Sequence, residues 1–192
     1  MIYKKNKLTI DGFNIDFLAK KFSTPIYCYS LKEITKNILD LKHHFKKINP
    51  LICYAVKANS NVSILKEIKN HNLGADVVSM GELMKALKAG IKPKKIVFSG
   101  VGKTSSEIEF AIKKNILLIN AESKNEILEI EKIAKRKKKV VNVGIRLNPN
   151  TDAKTLSQIS TGKKENKFGV DQKIFLQLVD YIKNSNFLSL KC

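Results

Sequence analysis

The chain has 192 residues, with 36 Lys and Arg against 17 Asp and Glu for a formal net charge of +19, and 43% of it is hydrophobic and 28% charged. That balance belongs to a globular chain with enough apolar content for a real core, and it excludes disorder and a collagen-like fibre. Lys, Asn or Asp breaks every apolar run well before the roughly 18–20 residues of a membrane span, so a membrane protein is excluded as well.

At the N-terminus, MIYKKNKLTIDGF holds Lys4, Lys5 and Lys7 but no apolar run leading to a small-residue cleavage site. A secretory signal is therefore not expected, and the cytoplasm is the expected compartment. Tyr3–Ile10 alternates like a strand of a separate sheet, Ile26–Tyr29 reads as a strand, and Leu31–Lys47 as an amphipathic helix. From residue 50 the pattern becomes βα repetition. Strands are predicted at Leu51–Val56, Ala75–Val78, Lys95–Phe98, Ile116–Ile119 and Asn142–Leu147, each apolar on both faces as a buried parallel strand requires. Between them, apolar residues recur at helical spacing: Ile64, Leu65 and Ile68; Leu83, Met84 and Leu87; Ile108, Ala111 and Ile112; then Ile127, Ile130, Ile133 and Ala134. Gly74 and Gly90 sit where two of these helices would be capped. Strand starts recur about every 20–26 residues, the cadence of a doubly wound sheet or of a (β/α)8 barrel, and periodicity does not choose between them. Asn148–Asp171 is too long for an idle connection and is expected to be a functional loop. A helix over Gln172–Asn184 follows, and Phe187–Cys192 begins one more strand. On a barrel reading only five or six of eight units are present, so the expectation is an α/β barrel incomplete at its C-terminus.

Almost all of the positive charge is lysine. Arg136 and Arg146 are the only arginines, although arginine is the residue that phosphate and base recognition favours. The densest basic run, Lys135–Lys139, falls where a helix would end, a position cations favour, so a solvated helix end is preferred to a nucleic-acid patch. Cys28, Cys53 and Cys192 are odd in number, widely spaced and without a C-x-x-C pair, which predicts reduced thiols. His43, His44 and His71 have no acidic neighbours at repeating ligand spacing, and no metal site is expected. Lys95–Thr104 superficially resembles a phosphate-binding loop ending in Gly-Lys-Thr, but the glycine required five positions before Gly102 is Val97. Thr104 or Ser105 is better read as a helix cap.

The sharpest feature is Tyr54-Ala55-Val56-Lys57-Ala58-Asn59, a lysine where an apolar strand gives way to its loop. Active sites of barrel enzymes lie at that end of the strands. A partly desolvated lysine there can form a Schiff base with an aldehyde; equally, a lysine at a strand end can simply snorkel to solvent.

This segment resembles the pyridoxal-phosphate lysine motif of the barrel-type amino-acid decarboxylases, and further segments resemble the diaminopimelate decarboxylase branch in the family's order. They are Thr24–Tyr27, Gly74–Leu83, Phe98–Thr104, Asn120–Ser123, Arg146–Pro149, and Ile159–Gly162 followed by Asn166–Gly169. The resemblance implies a (β/α)8 TIM-type barrel of the alanine racemase-like class. Residues 1–25 would form an N-terminal segment whose strand joins a second β-domain, residues 26–192 a partial pyridoxal-phosphate barrel, and the C-terminal β-domain would be absent. Lys57 matches the lysine that holds the cofactor, Asp76 an active-site carboxylate near it, and Arg146 an arginine beside the cofactor ring. Lys167 matches a lysine near the dimer-facing rim. Ser79 and Glu82 share the Asp76 segment and are candidates for substrate or interface contact, although a helix cap with Glu82 three positions after Ser79 is the preferred reading. Asp76 could likewise cap the helix starting near Ser79.

One segment departs from the family: Leu156-Ser157-Gln158 stands where a His-Pro-Tyr-like sequence is usual. The family's histidine-glycine-serine motif, phosphate loop and the glutamate facing the pyridine nitrogen would all lie beyond residue 192. The resemblance therefore implies pyridoxal 5'-phosphate as cofactor, decarboxylation of meso-diaminopimelate to L-lysine in the whole enzyme, and little or no activity of this chain alone. It implies a small amino-acid substrate and a homodimer, with a further chain supplying any missing half, and neither nucleic acid nor membrane as partner. The rivals are another barrel enzyme of this cofactor class, such as an ornithine, arginine or carboxynorspermidine decarboxylase or a racemase, and a non-catalytic remnant or half of a split enzyme.

Overall fold

The computed structural model of the protein describes residues 2–4, 6–151 and 168–192. They fall into two units, Met1–Pro50 and Leu51–Cys192.

In the first unit, Asp11 and Gly12 both adopt positive φ, at 51° and 93°, as a two-residue hairpin turn demands. Strands β1 (Ile2–Lys4), β2 (Lys7–Ile10) and β3 (Phe13–Asn14) form an antiparallel sheet in that order, with Ile10 opposite Phe13. The single strand predicted over Tyr3–Ile10 is thus two, because Asn6 turns into the left-handed region and folds Lys7 back on Lys4. Asn14 caps α1 (Ile15–Phe22) by accepting from the Asp16 and Phe17 amides. Ser30 caps α2 (Leu31–His44), accepting from the Glu33 amide at 3.0 Å while its hydroxyl donates to Asp11 at 2.5 Å. That hydroxyl, with the Lys32 amide, holds the Asp11 carboxyl below its ordinary pKa. Ile26–Tyr29 belongs to no strand, contrary to expectation. Strand propensity alone is not enough, since an extended segment needs a neighbour to receive its backbone hydrogen bonds.

The second unit is the βα repeat. Strands β4 (Cys53–Ala55), β5 (Gly74–Val77), β6 (Ile96–Phe98), β7 (Leu118–Ala121), β8 (Val141–Ile145) and β9 (Leu188–Leu190) lie side by side in chain order, every pair parallel. Helices α3 (Val62–Asn70), α4 (Met80–Lys88), α5 (Ser105–Lys114), α6 (Lys124–Lys137) and α7 (Gln172–Lys183) fill the crossovers. Strand order never reverses. A doubly wound sheet has such a reversal at its centre, so the topology is the singly wound one of a barrel wall. All five predicted strands are present, with bounds displaced by up to two residues.

The core sits between this sheet and its helices. Leu65, Val77, Leu83, Ile96, Phe98, Ile108, Ile119, Ile127, Ile130 and Ile182 are fully or almost fully buried, at roughly 1.5–3 kcal/mol per large side chain. Met84, expected on the inner face of α4, is 54% exposed, and Ala86 takes the inward position. Gly90 has φ of 89° just past α4, as expected of a cap. Gly74 does not cap: past α3 the left-handed residue is Asn72, at φ 64°. A Cβ on Gly74 would stand 2.3 Å from the Lys95 carbonyl oxygen and 2.7 Å from Cys53 Sγ, so close approach of neighbouring strands excludes a side chain there. Of the predicted loop Asn148–Asp171, residues 152–167 lie outside the described residues, and its two ends are joined by a parallel bridge between Leu147 and Val170.

Candidate active site

The C-terminal ends of these parallel strands surround a cleft of about 720 Å3. Lys57, Asp76 and Arg146, far apart in sequence, all line it. Lys57 stands on a single 3-10 turn, Val56–Ala58, that ends β4, and its anchor Val56 is fully buried while its own side chain is exposed. Of the two readings of this lysine, one needs a partial desolvation that is not supplied by the described residues. Among them its ammonium has no hydrogen-bond or ion-pair partner. Asp76 lies on the adjacent strand, where its Cα partner is Ala55, two residues before Lys57. Its Oδ1 accepts from the Ser99 hydroxyl at 2.6 Å, so it does not cap α4. The cap is Ser79, whose Oγ accepts from the Glu82 amide at 3.2 Å. Glu82 Oε2 in turn accepts from the Val78 amide at 2.9 Å, one residue before the position a capping box uses. Neither Ser79 nor Glu82 lines the cleft. Lys167 and Leu156-Ser157-Gln158 lie outside the described residues.

Arg146 follows β8 and rests its guanidinium over the Phe168 ring at 4.9 Å. It donates through Nη1 to Glu122 Oε1 at 3.1 Å, and the same oxygen accepts from the Gly100 amide at 3.1 Å. Glu122 has only 3% of its side chain exposed, and its second oxygen is buried without a partner. A carboxylate half satisfied in this way costs stability, which is tolerated where a site needs the group. Behind the cleft, the Lys103 side chain is only 1% exposed. Its ammonium donates to the Gly100 and Asn120 carbonyls at 2.6 and 2.7 Å and to Glu126 Oε1 at 2.6 Å. All three donors are spent, so no phosphate could use them. Burial pushes the Cys192 thiol, also on the cleft wall, above its ordinary pKa. Ser99, Asn120 and Glu122 are cleft residues to which sequence reasoning assigned no role, although each falls within a family-like segment.

The donor set suits pyridoxal phosphate. Among the described residues a primary amine without a partner, a carboxylate on the neighbouring strand and a partly exposed guanidinium line one concavity, groups that an aldehyde-bearing polar ring can engage.

Residues 31–189 match the family described as pyridoxal-dependent decarboxylase, pyridoxal binding domain. The chain belongs to this family. Among its relatives is the diaminopimelate decarboxylase of Helicobacter pylori strain J99, 52% identical over 176 residues, which cover 92% of this chain and 44% of the relative. The diaminopimelate decarboxylase of Campylobacter jejuni is 48% identical, over 89% of this chain and 42% of the relative. The chain thus spans under half the length of these relatives. A crystal structure of the Helicobacter pylori enzyme complexed with L-lysine superposes with a TM-score of 0.89 at 50% identity, covering 92% of this chain and 45% of that one. A crystal structure of the diaminopimelate decarboxylase from M. jannaschii, in co-complex with L-lysine, gives 0.87 at 36% identity, over 97% of this chain and 45% of that one. The architecture of the family's barrel is therefore present here in part.

Proposed function

We propose that the protein acts in the decarboxylation of meso-diaminopimelate to L-lysine with pyridoxal phosphate as cofactor, residues 26–192 forming part of the cofactor-binding barrel and residues 1–25 a segment that joins a second β-domain. The observation that carries this reading is the Lys57 amine, without a partner among the described residues, lining one cleft with Asp76 in a chain whose relatives bear that enzyme's name. Lys57 would hold the cofactor's aldehyde carbon through Nζ, Asp76 would favour positive charge on that nitrogen, and Arg146 would stand beside the ring. When bound, the cofactor supplies an electron sink for the pair left behind by carbon dioxide. The residues of this chain position and polarise. Glu122 and Phe168 steady Arg146, and Ser99 steadies Asp76. Lys167, Ser79 and Glu82 remain candidates for substrate or interface contact, Ser79 and Glu82 less so since their side chains serve the start of α4. The working assembly would be a cytoplasmic homodimer, with polypeptide equivalent to the rest of the relatives' length completing the site.

The test is to add pyridoxal phosphate, reduce with borohydride and map the modified lysine by mass spectrometry. Modification concentrated on Lys57, and its loss in Lys57→Ala, is expected; labelling scattered over the surface lysines would refute the reading.

A further inference from the structure

Between Asp76 and Cys192 a row of polar side chains crosses the cleft floor from strand to strand. The Cys192 thiol donates to Asn120 Oδ1 at 3.6 Å, Asn120 Nδ2 donates to Ser99 Oγ at 3.1 Å, and the Ser99 hydroxyl donates to Asp76 Oδ1 at 2.6 Å. These residues come from β5, the end of β6, β7 and the segment after β9. Every donor in the row points the same way, toward the carboxylate. Space for it is made by Gly144 on β8, opposite Asn120 in the ladder. A Cβ there would stand 2.3 Å from Asn120 Oδ1 and 2.6 Å from Cys192 Sγ. Glycine is thus the only residue at 144 compatible with the row.

We infer that Ser99 and Asn120 are positioning residues that act through Asp76, fixing its carboxylate so that the second oxygen faces the charged nitrogen of the ligand-bearing Lys57. The inference rests on the cofactor reading of the site. A lone aspartate at a strand end rotates about two side-chain bonds. The short Ser99 bond removes that freedom, and the Asn120 amide, by occupying the lone pair side of Ser99 Oγ, directs the hydroxyl proton to Asp76 and nowhere else. Among the described residues the other carboxylate oxygen makes no hydrogen bond and is left for a cation. Asp76 and Lys57 emerge from neighbouring parallel strands, so a carboxylate held in one rotamer keeps a constant relation to the backbone from which Lys57 extends.

The experiment measures the affinity of the intact protein for pyridoxal phosphate and the yield of borohydride-trapped Lys57, in Ser99→Ala, Ser99→Thr, Asn120→Ala and Asp76→Asn and in the Ser99→Ala/Asp76→Asn double variant. Ser99→Ala is expected to lower both quantities about tenfold, as for a lost hydrogen bond to a charged group. Ser99→Thr, which keeps the hydroxyl, should restore them, and Asn120→Ala should give an intermediate loss. The double variant should be no worse than Asp76→Asn alone, because a residue that acts through another has nothing to add once that other is gone. A purely structural role would lower the melting temperature and leave the two losses additive. Selective trapping at Lys57 that Ser99→Ala leaves unchanged, or full additivity in the double variant, would overturn this inference alone. Scattered trapping in the unaltered protein would overturn the cofactor reading and this inference with it.

Discussion

Lys103 shows how little a residue's motif says about its task. Its Gly-Lys-Thr setting suggests a nucleotide phosphate, yet its ammonium is buried against Glu126 and two carbonyls. Removing one member of a buried pair strands the other charge, at about 3–5 kcal/mol. Lys103→Met should therefore lower stability by that amount in urea unfolding, with Glu126→Gln alone causing a similar loss. At the same scale, Lys57, Asp76 and Arg146 were visible in the sequence because each stands in a distinctive segment. The role of Glu122 was not, because its value comes from Arg146, 24 positions away, and from the Gly100 amide. No local spacing encodes such a contact.

Helix ends and strand spacing decide stability at the next scale. Helices α6 and α7 are tied by Glu131, which accepts from Tyr181 and Ser185 hydroxyls, each at 2.5 Å, and pairs with Lys135 at 3.2 Å. Burial works against its charge, but those three donors outweigh it and hold the carboxyl below its ordinary 4.5. Glu107 is likewise held low, by the Thr104 and Met80 amides at the start of α5. A carboxylate with a lowered folded pKa contributes its full stability above 4.5 and loses it as pH falls through the lower folded value. Unfolding free energy should thus decline below pH 4.5, and Glu131→Gln should be less stable at pH 7 while showing a smaller acid decline. Glycines separate the two meanings of the residue. Gly74→Ala drives a Cβ into the Lys95 carbonyl and should cost at least about 2 kcal/mol. Gly81→Ala in α4, with Ser79 Oγ as its nearest neighbour at 3.8 Å, should be neutral or stabilise by up to about 1 kcal/mol. Equilibrium denaturation of both variants checks the contrast. The helix signal at Gly74 in the sequence was misleading because a glycine after a helical pattern looks the same whether the backbone needs a left-handed turn or a close approach.

For the whole molecule, the charge of +19 invites a polyanion partner. Within its densest basic run, Lys135 pairs with Glu131, and Arg136 and Lys137 both pair with Glu109. These cations close the last turn of α6 rather than form a free face. Binding of duplex DNA, followed by electrophoretic shift, should be weak at 50 mM salt and vanish by about 0.2 M, as for counterion release without specific contacts. Among the described residues no helix is long and apolar enough to cross a membrane.

The sequence by itself determined the βα alternation, the buried faces of α3, α5 and α6, and the segments shared with the decarboxylase family, because hydrophobic period and motif are properties of neighbouring residues. Its hydrophobic period left two architectures open, between which the family resemblance chose the barrel, and the helix-cap readings of Asp76 and Gly74 did not hold. Only the tertiary structure decided that the strands lie in chain order, since pairing joins residues from 21 to 47 positions apart and is invisible to a local pattern. That order brings the ends of β4, β5, β7 and β8 to one cleft, and with them Lys57, Asp76, Glu122 and Arg146. The hydrogen-bonded row from Cys192 to Asp76 exists for the same reason: side chains on successive parallel strands meet only when register sets them level and a glycine leaves them room.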